Sequence, residues 1–232
     1  MSKLSAASIG AAQTESLEFT LNGDRVLVER LAATTTLLDW LRQTGRTGGK
    51  CGCAEGDCGA CTVALLEQDA AGRATYRAIN SCIALLPMFA GREIVTVEGI
   101  ARRGDAPGDD VTLHPVQRAM VGHNGSQCGY CTPGFVVSMF EAYYRAGLDE
   151  PWQINDQLCG NLCRCTGYRS IRDAMSAAMA ERGRQENDPF ALRLQEPEAA
   201  PGGLNYTGGG ETFFRPTSLE ELFALKHRHA GA

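Results

Sequence analysis

Ten cysteines are the residues of this 232-residue sequence best suited to chemistry, and they fall in two groups, within 51–82 and within 128–165. Thiolates bind metals in reducing compartments and pair as disulfides in oxidising ones. The first sixteen residues contain one lysine, no twin arginine and no apolar core, so we expect no secretory signal and a cytoplasmic location. The cysteines are therefore predicted to be metal or redox ligands.

The first group has the spacing of a plant-type [2Fe–2S] protein, C-x4-C-x2-C…C. Its predicted ligands are Cys53, Cys58, Cys61 and Cys82. Three of these thiolates must converge from one short segment, and the glycines of GKCGCAEGDCGACTV let the backbone wrap closely. The alternative is a structural zinc site, which would be colourless, but no second cysteine or histidine knuckle flanks Cys82. A Rieske centre is excluded because neither group contains a histidine.

The second group supplies four thiolates from two short segments, SQCGYCTPGF and LCGNLCRCTGY. Its predicted ligands are Cys128, Cys131, Cys163 and Cys165. Each segment adjoins an expected helix, whose free N–H groups and positive dipole end favour an anionic cluster. Taken alone this set is also compatible with zinc, but beside the first group it predicts a second [2Fe–2S] cluster. Cys51 and Cys159 remain as bystanders.

Strand patterns surround the first cysteine group and predict a small mixed sheet over 17–100. The expected strand segments are 17–29, 62–67, 73–79 and 93–98. Segment 17–29 is a hairpin, because alternating residues flank the turn sequence Asn22-Gly23. A short helix is expected in TTTLLDWLRQTG, with a threonine as N-cap and Gly45 at its end.

Helical periodicity replaces the strand pattern over 112–182 and predicts a domain of about four helices. The expected starts are after His114-Pro115, at Thr132-Pro133, near 152–158 and at Ser170.

Three further segments are expected to lie outside both domains: a flexible N-terminus at 1–16 and polar linkers at 101–111 and 183–211. The last segment, 212–232, begins a helix at Ser218 and is too short to bury a core of its own. It is interpreted as the truncated start of a third domain.

Composition excludes several function classes. The net charge of −5 without a basic stripe argues against nucleic-acid and anionic-membrane binding, and no apolar run approaches a bilayer span. The sequence contains no P-loop, G-x-S-x-G or H-E-x-x-H motif, so no catalytic residue is assigned to this chain. Substrate chemistry is expected on a partner.

Both cysteine groups, in the segments GCAEGDCGACTV, NSC, SQCGYCTPGF and LCGNLCRCTGYR, resemble the iron–sulfur portion of the molybdenum hydroxylases, the xanthine dehydrogenase/oxidase family. The resemblance covers about residues 17–182. It implies an α+β fold, with an N-terminal 2Fe-2S ferredoxin-like β-grasp domain followed by a four-helix-bundle 2Fe-2S domain. By position, the first ligand group would hold the flavin-side cluster and the second the molybdenum-side cluster. Gln127 and Cys165 would approach the edge of the molybdopterin.

The resemblance also implies a function, electron transfer within a hetero-oligomeric oxidoreductase. A molybdopterin-binding large subunit would oxidise a purine, and electrons would pass through both clusters to FAD and NAD. The segment FFRPTSLEELFALKHRHAGA resembles the opening of the family's FAD domain, as in the small subunit of the xanthine dehydrogenase branch. FAD and molybdopterin are expected in the complete complex and not on this chain alone. Two alternatives remain open, a carbon monoxide or aldehyde oxidoreductase small subunit and a free-standing two-cluster electron carrier.

Overall fold

Strands dominate the first hundred residues and helices the next eighty, in a computed structural model that describes residues 11–103, 110–148, 150–184, 187–196 and 199–230. The strands are β1 (Gln13–Thr14), β2 (Ser16–Leu21), β3 (Asp24–Glu29), β4 (Thr62–Gln68), β5 (Ala74–Asn80), β6 (Glu93–Val95), β7 (Arg102–Arg103), β8 (Val111–Thr112), β9 (Leu204–Gly208) and β10 (Glu211–Arg215). The helices are α1 (Leu37–Gln43), α2 (Val97–Ile100), α3 (Pro115–Gly122), α4 (Thr132–Tyr144), α5 (Pro151–Leu158), α6 (Arg169–Ala180), α7 (Pro189–Arg193) and α8 (Leu219–Arg228), with a 3-10 turn at Leu86–Phe89.

A five-stranded sheet of order β3-β2-β6-β4-β5 forms the N-terminal part. Strands β2 and β6 are parallel, and the other neighbours are antiparallel. The predicted hairpin is present, and its turn residues Asn22 and Gly23 have the positive φ values, 54° and 89°, that such a tight turn requires. The Asn22 side chain accepts a hydrogen bond from the Thr96 amide (2.8 Å). Strand β6 therefore ends at Val95 and α2 begins, which makes the strand shorter than predicted.

The central strand β4 is buried on both faces because the sheet lies between two apolar layers. Val63 and Leu65 face a layer that contains α1 and the 3-10 turn. Ala64 and Leu66 face the opposite way, into a core built largely from α4. Double-sided burial explains why this strand reads as a continuous apolar run rather than an alternating one.

Helices α3, α5 and α6 pack around α4, which gives the four helices that the periodicity predicts. Helix α4 is buried on nearly all sides, because β4 and β5 cover one side and the other helices cover the rest. The sheet and the helices consequently share one continuous core. The predicted linker 101–111 separates the two parts in sequence, and residues 104–109 lie outside the described ranges.

The segment 183–211, predicted as a linker, contains α7 and β9. Strand β9 pairs with β1 on one side and with β10 on the other. Tyr206 of β9 is fully buried against the layer of α1, and its hydroxyl donates to the Leu31 carbonyl (2.6 Å). Strand β9 is held in place because it buries an aromatic ring on the N-terminal part, a contact that composition does not reveal. Of the predicted flexible N-terminus, residues 1–10 lie outside the described part.

The final predicted helix is present as α8, and Ser218 caps it by accepting a hydrogen bond from the Glu221 amide (3.1 Å). No helix among the described ranges is both long and apolar enough to cross a membrane.

A series of hydrogen bonds between largely buried side chains joins the start of α7 to α3 and α4. His114 caps α3, and its Nδ1 accepts a hydrogen bond from the Val116 amide (3.3 Å), so the hydrogen-bond pattern assigns the ring proton to Nε2. Nε2 lies 2.8 Å from the Tyr144 hydroxyl, which itself donates to Asp188 Oδ2 (2.8 Å). Asp188 in turn caps α7 by accepting from the Phe190 amide (3.0 Å). The neutral imidazole is therefore the form that this network holds.

Acid is expected to weaken the fold through His114. Burial, aided by Arg118 and Arg102 and opposed by Asp188, lowers the pKa of His114 from 6.5 to about 4. Because the folded state disfavours the proton, the contribution of His114 is complete above pH 6.5 and is lost as pH falls toward 4. We expect wild type to lose about 2 kcal/mol more than His114→Asn between roughly pH 7 and 5, measured by urea unfolding.

Asparagine retains an N-cap acceptor, so His114→Asn removes the buried ring while it preserves the helix start. His123→Asn, at the exposed C-terminal end of α3, is the matched control and should keep the wild-type pH dependence. Parallel stability curves for wild type and His114→Asn would contradict the prediction.

Candidate thiolate centres

Strand register places the first pair of cysteines together. Cys61 immediately precedes β4 and Cys82 follows β5, and these antiparallel strands pair Thr62 with Asn80 at that end. The Ser81 hydroxyl donates to the Cys61 carbonyl (2.7 Å) and holds the strand ends together. The two thiols are neighbours and pack against Leu38. Burial, followed by the neighbouring Cys61 thiol, raises the pKa of Cys82 to about 12.

The loop before β4 forms a second pair from Cys53 and Cys58. The Cys53 amide donates to Cys58 Sγ, and the Cys58 and Glu55 amides both donate to Cys53 Sγ, each at 3.4 Å. The amides of Glu55 and Cys58, followed by the Cys58 thiol and the Asp57 amide, lower the pKa of Cys53 to about 6. The loop thus favours the thiolate, which is the metal-binding form.

The second group also forms two pairs, each made across two loops. The α3–α4 loop supplies Cys128 and Cys131, and the α5–α6 loop supplies Cys163 and Cys165. The Cys128 thiol neighbours that of Cys165, and the Cys131 thiol neighbours that of Cys163. Burial, and then the Cys163 thiol, raises the pKa of Cys131 to about 12. Cys131 is the N-cap residue of α4, directly before the first helical residue Thr132, so it lies at the positive end of the helix.

The paired arrangement fits a binuclear cluster, since a [2Fe–2S] centre has two irons and each takes two protein ligands. No three histidine, cysteine or carboxylate side chains converge on a single-ion site among the residues that the structure describes. The first loop is also shaped for close wrapping. A Cβ on Gly52 would lie 2.7 Å from Cys58 Sγ, so only glycine leaves room at this point.

The loops that carry the two groups of cysteines meet at one junction, and α4 contributes a third segment to it. The Leu162 amide donates to the Cys58 carbonyl (3.0 Å), which joins the two cysteine loops directly. The buried Asn161 side chain donates to the Gly59 carbonyl (3.0 Å) and accepts from the Ser138 hydroxyl of α4 (2.6 Å). Sequence patterns did not identify Asn161 or Ser138, because each is an isolated polar residue without a spacing signal.

The remaining predicted site residues lie at the surface. Gln127 is exposed beside Cys128, and Cys165 is exposed as well, so their predicted contact with molybdopterin remains a prediction. Of the two bystanders, Cys159 is exposed at the end of α5, and Cys51 is exposed while its carbonyl accepts a hydrogen bond from the Tyr130 hydroxyl.

Two family models match the chain, one for each thiol group. A 2Fe-2S iron-sulfur cluster binding domain matches residues 19–86, and a [2Fe-2S] binding domain matches residues 96–176. Xanthine dehydrogenase 1 of Arabidopsis thaliana is 43% identical over 169 residues, which are 72% of this chain and 12% of that protein. The chain thus spans only 12% of the length of this curated relative.

Solved structures show the same likeness. Quinoline 2-oxidoreductase from Pseudomonas putida 86 aligns with a TM-score of 0.60 and 31% identity, over 74% of this chain and 97% of that chain. Aldehyde oxidoreductase from Desulfovibrio gigas aligns with a TM-score of 0.61 and 33% identity, over 76% of this chain and 18% of that chain.

Proposed function

This chain belongs to the xanthine dehydrogenase/oxidase family of molybdenum hydroxylases, and on that premise we propose that it is the electron-transfer part of such an oxidoreductase. Its two 2Fe-2S binding domains would each hold one cluster. The proposed ligands are the four thiols of the first group, Cys53, Cys58, Cys61 and Cys82, and the four of the second, Cys128, Cys131, Cys163 and Cys165. When bound, each cluster supplies a one-electron carrier.

The observation that supports this proposal most directly is the junction between the loops of the two cysteine groups. The Leu162 amide bonds the Cys58 carbonyl, so the backbone next to one proposed ligand contacts the backbone of another. The buried Asn161 side chain braces this contact, because it bonds both the Gly59 carbonyl and the Ser138 hydroxyl of α4. We propose that this junction holds two thiolate centres side by side. That is the arrangement that electron transfer between them needs.

The proposed route runs from a molybdopterin site on a partner, through the second group and then the first, to FAD and NAD. Gln127 and Cys165 are exposed, and we propose that they face the molybdopterin partner. On α8, Leu219, Leu222 and Phe223 are exposed large apolar side chains, and we propose that an FAD domain covers them. Purine oxidation by the whole enzyme is likewise a proposal, with catalysis on the partner.

The domain organisation that we propose has a ferredoxin-like β-grasp unit at 17–100 and a four-helix unit at 112–182. The sheet with its parallel β2–β6 pair and the packing of α3 to α6 support this division. A cytoplasmic location is proposed because the cluster ligands must be reduced thiolates, which persist in reducing compartments.

A second candidate is an aldehyde-oxidising enzyme, which the likeness to the aldehyde oxidoreductase from Desulfovibrio gigas favours. The same electron-transfer role would apply, and only the partner's substrate would differ. Purification of the natively expressed complex, followed by assays with xanthine and with an aldehyde, separates the two candidates.

Iron analysis of the anaerobically purified chain tests the proposal. We expect about four irons and about four acid-labile sulfides per chain, with two distinct EPR signals after dithionite reduction. About two irons with one signal would leave one thiol group without a cluster and contradict the two-cluster proposal. Zinc without iron in the natively isolated chain would overturn the electron-transfer function.

A further inference from the structure

The loop between Cys163 and Tyr168 holds a side-chain hydroxyl against a proposed ligand. Thr166 Oγ1 lies 3.1 Å from Cys163 Sγ and also accepts a hydrogen bond from the Tyr168 amide at 3.1 Å. Since that amide occupies a lone pair of the hydroxyl oxygen, the hydroxyl proton is free to point toward the sulfur. A ligating thiolate can only accept, so Thr166 is the donor of this pair.

The backbone of the same loop fixes the position of the hydroxyl. Tyr168 has a φ of 66°, in the left-handed region that residues other than glycine seldom adopt. Its phenol oxygen turns back and accepts a hydrogen bond from the Cys163 amide (2.9 Å). This hydrogen bond between the Cys163 amide and Tyr168 closes the loop on itself. Thr166 lies between these two residues. The Thr166 hydroxyl consequently has a defined direction toward Cys163.

The two thiol groups differ in the kind of donor that reaches their sulfurs. In the first group, backbone amides of Glu55 and Cys58 donate to Cys53. Backbone amides of Thr166 and Cys165 also point at Cys163, but the threonine hydroxyl adds a donor from a side chain. A side-chain donor is open to substitution, whereas a backbone amide is not.

We propose that Thr166 raises the reduction potential of the second cluster by donating a hydrogen bond to the Cys163 sulfur. This proposal rests on the ligand assignment in the proposed function. Reduction adds one electron and neither makes nor breaks a bond, so the added negative charge stays on the cluster and its sulfurs. A proton directed at a ligand sulfur stabilises that more negative state, and hydrogen bonds to sulfur are a recognised determinant of cluster potential.

The test is a redox titration of the full chain, with EPR signals that follow each cluster separately. Thr166→Val replaces the hydroxyl with a methyl group at nearly constant size, and Thr166→Ser is the matched control that retains the donor. For Thr166→Val we expect the ratio of reduced to oxidised second cluster to fall about tenfold at a fixed potential, which is about 59 mV for one electron. The first cluster, and both clusters in Thr166→Ser, should keep their wild-type potentials.

Several outcomes would overturn the role of Thr166 and leave the proposed function intact. One is an unchanged second potential in Thr166→Val while the chain keeps about four irons. Another is an equal shift in both clusters, or the same shift in Thr166→Ser, since either would indicate a moved loop. If Thr166→Val loses iron, Thr166→Ala provides a second trial, and iron loss there too would count against tuning. Failure of the proposed function is separate, because wild type itself would then lack two signals.

Discussion

Replacement of Cys61 by alanine is expected to halve the iron content of the full chain, from about four atoms to about two. Cys61 is buried, and its thiol is paired with that of Cys82. Without Cys61, one proposed iron of the first cluster keeps a single protein ligand, and a four-thiolate cluster is not retained. Iron and sulfide analysis, with EPR after dithionite reduction, should show the loss of one signal and the retention of the other.

The chain offers matched controls for this experiment. Cys51→Ala and Cys159→Ala change exposed cysteines outside both proposed ligand sets and should retain about four irons. Cys131→Ala should remove the other EPR signal, because Cys131 is paired with Cys163 in the second group. Full iron content in Cys61→Ala, or iron loss in Cys51→Ala, would contradict the ligand assignment.

Gly134→Ala is expected to destabilise the protein by about 3 kcal/mol, although alanine is the better helix former. Gly134 lies in α4 at the junction of the two thiol groups. An added Cβ would lie 2.0 Å from the Gly59 carbonyl oxygen and 2.9 Å from Asn161 Nδ2. The Gly59 carbonyl oxygen already accepts hydrogen bonds from the Thr62 hydroxyl and the Asn161 side chain, so this backbone atom has little freedom to move. The added methyl group must therefore push the helix and the cysteine loop apart.

Urea unfolding followed by circular dichroism measures this effect, and Gly122→Ala is the matched control. Gly122 ends α3, and a Cβ there meets no atom within 4 Å. That substitution should be neutral or stabilising by up to about 1 kcal/mol. Equal stability of the two alanine variants would contradict the prediction, because it would show that α4 and the cysteine loop can move apart without cost.

Local sequence patterns predicted the elements that depend on neighbouring residues. The hairpin at Asn22-Gly23 and the helix capped by Thr36 form as expected, because turn and cap preferences act within a few residues. Patterns of this kind fail where a distant partner intervenes. The strand predicted at 93–98 ends early because the side chain of Asn22, more than seventy residues away, takes the Thr96 amide.

The sequence by itself therefore determined which residues are suited to ligation and which segments form hairpins and helices. Cysteine spacing, turn residues and apolar periodicity are all properties of short segments. The tertiary structure alone decided the 2 + 2 pairing of each thiol group, the burial of Tyr206 in a segment predicted as linker, and the junction through Asn161. These features join segments far apart in the chain through shape and single hydrogen bonds. Such contacts leave no periodic signal in the sequence, because each depends on the folded positions of both partners.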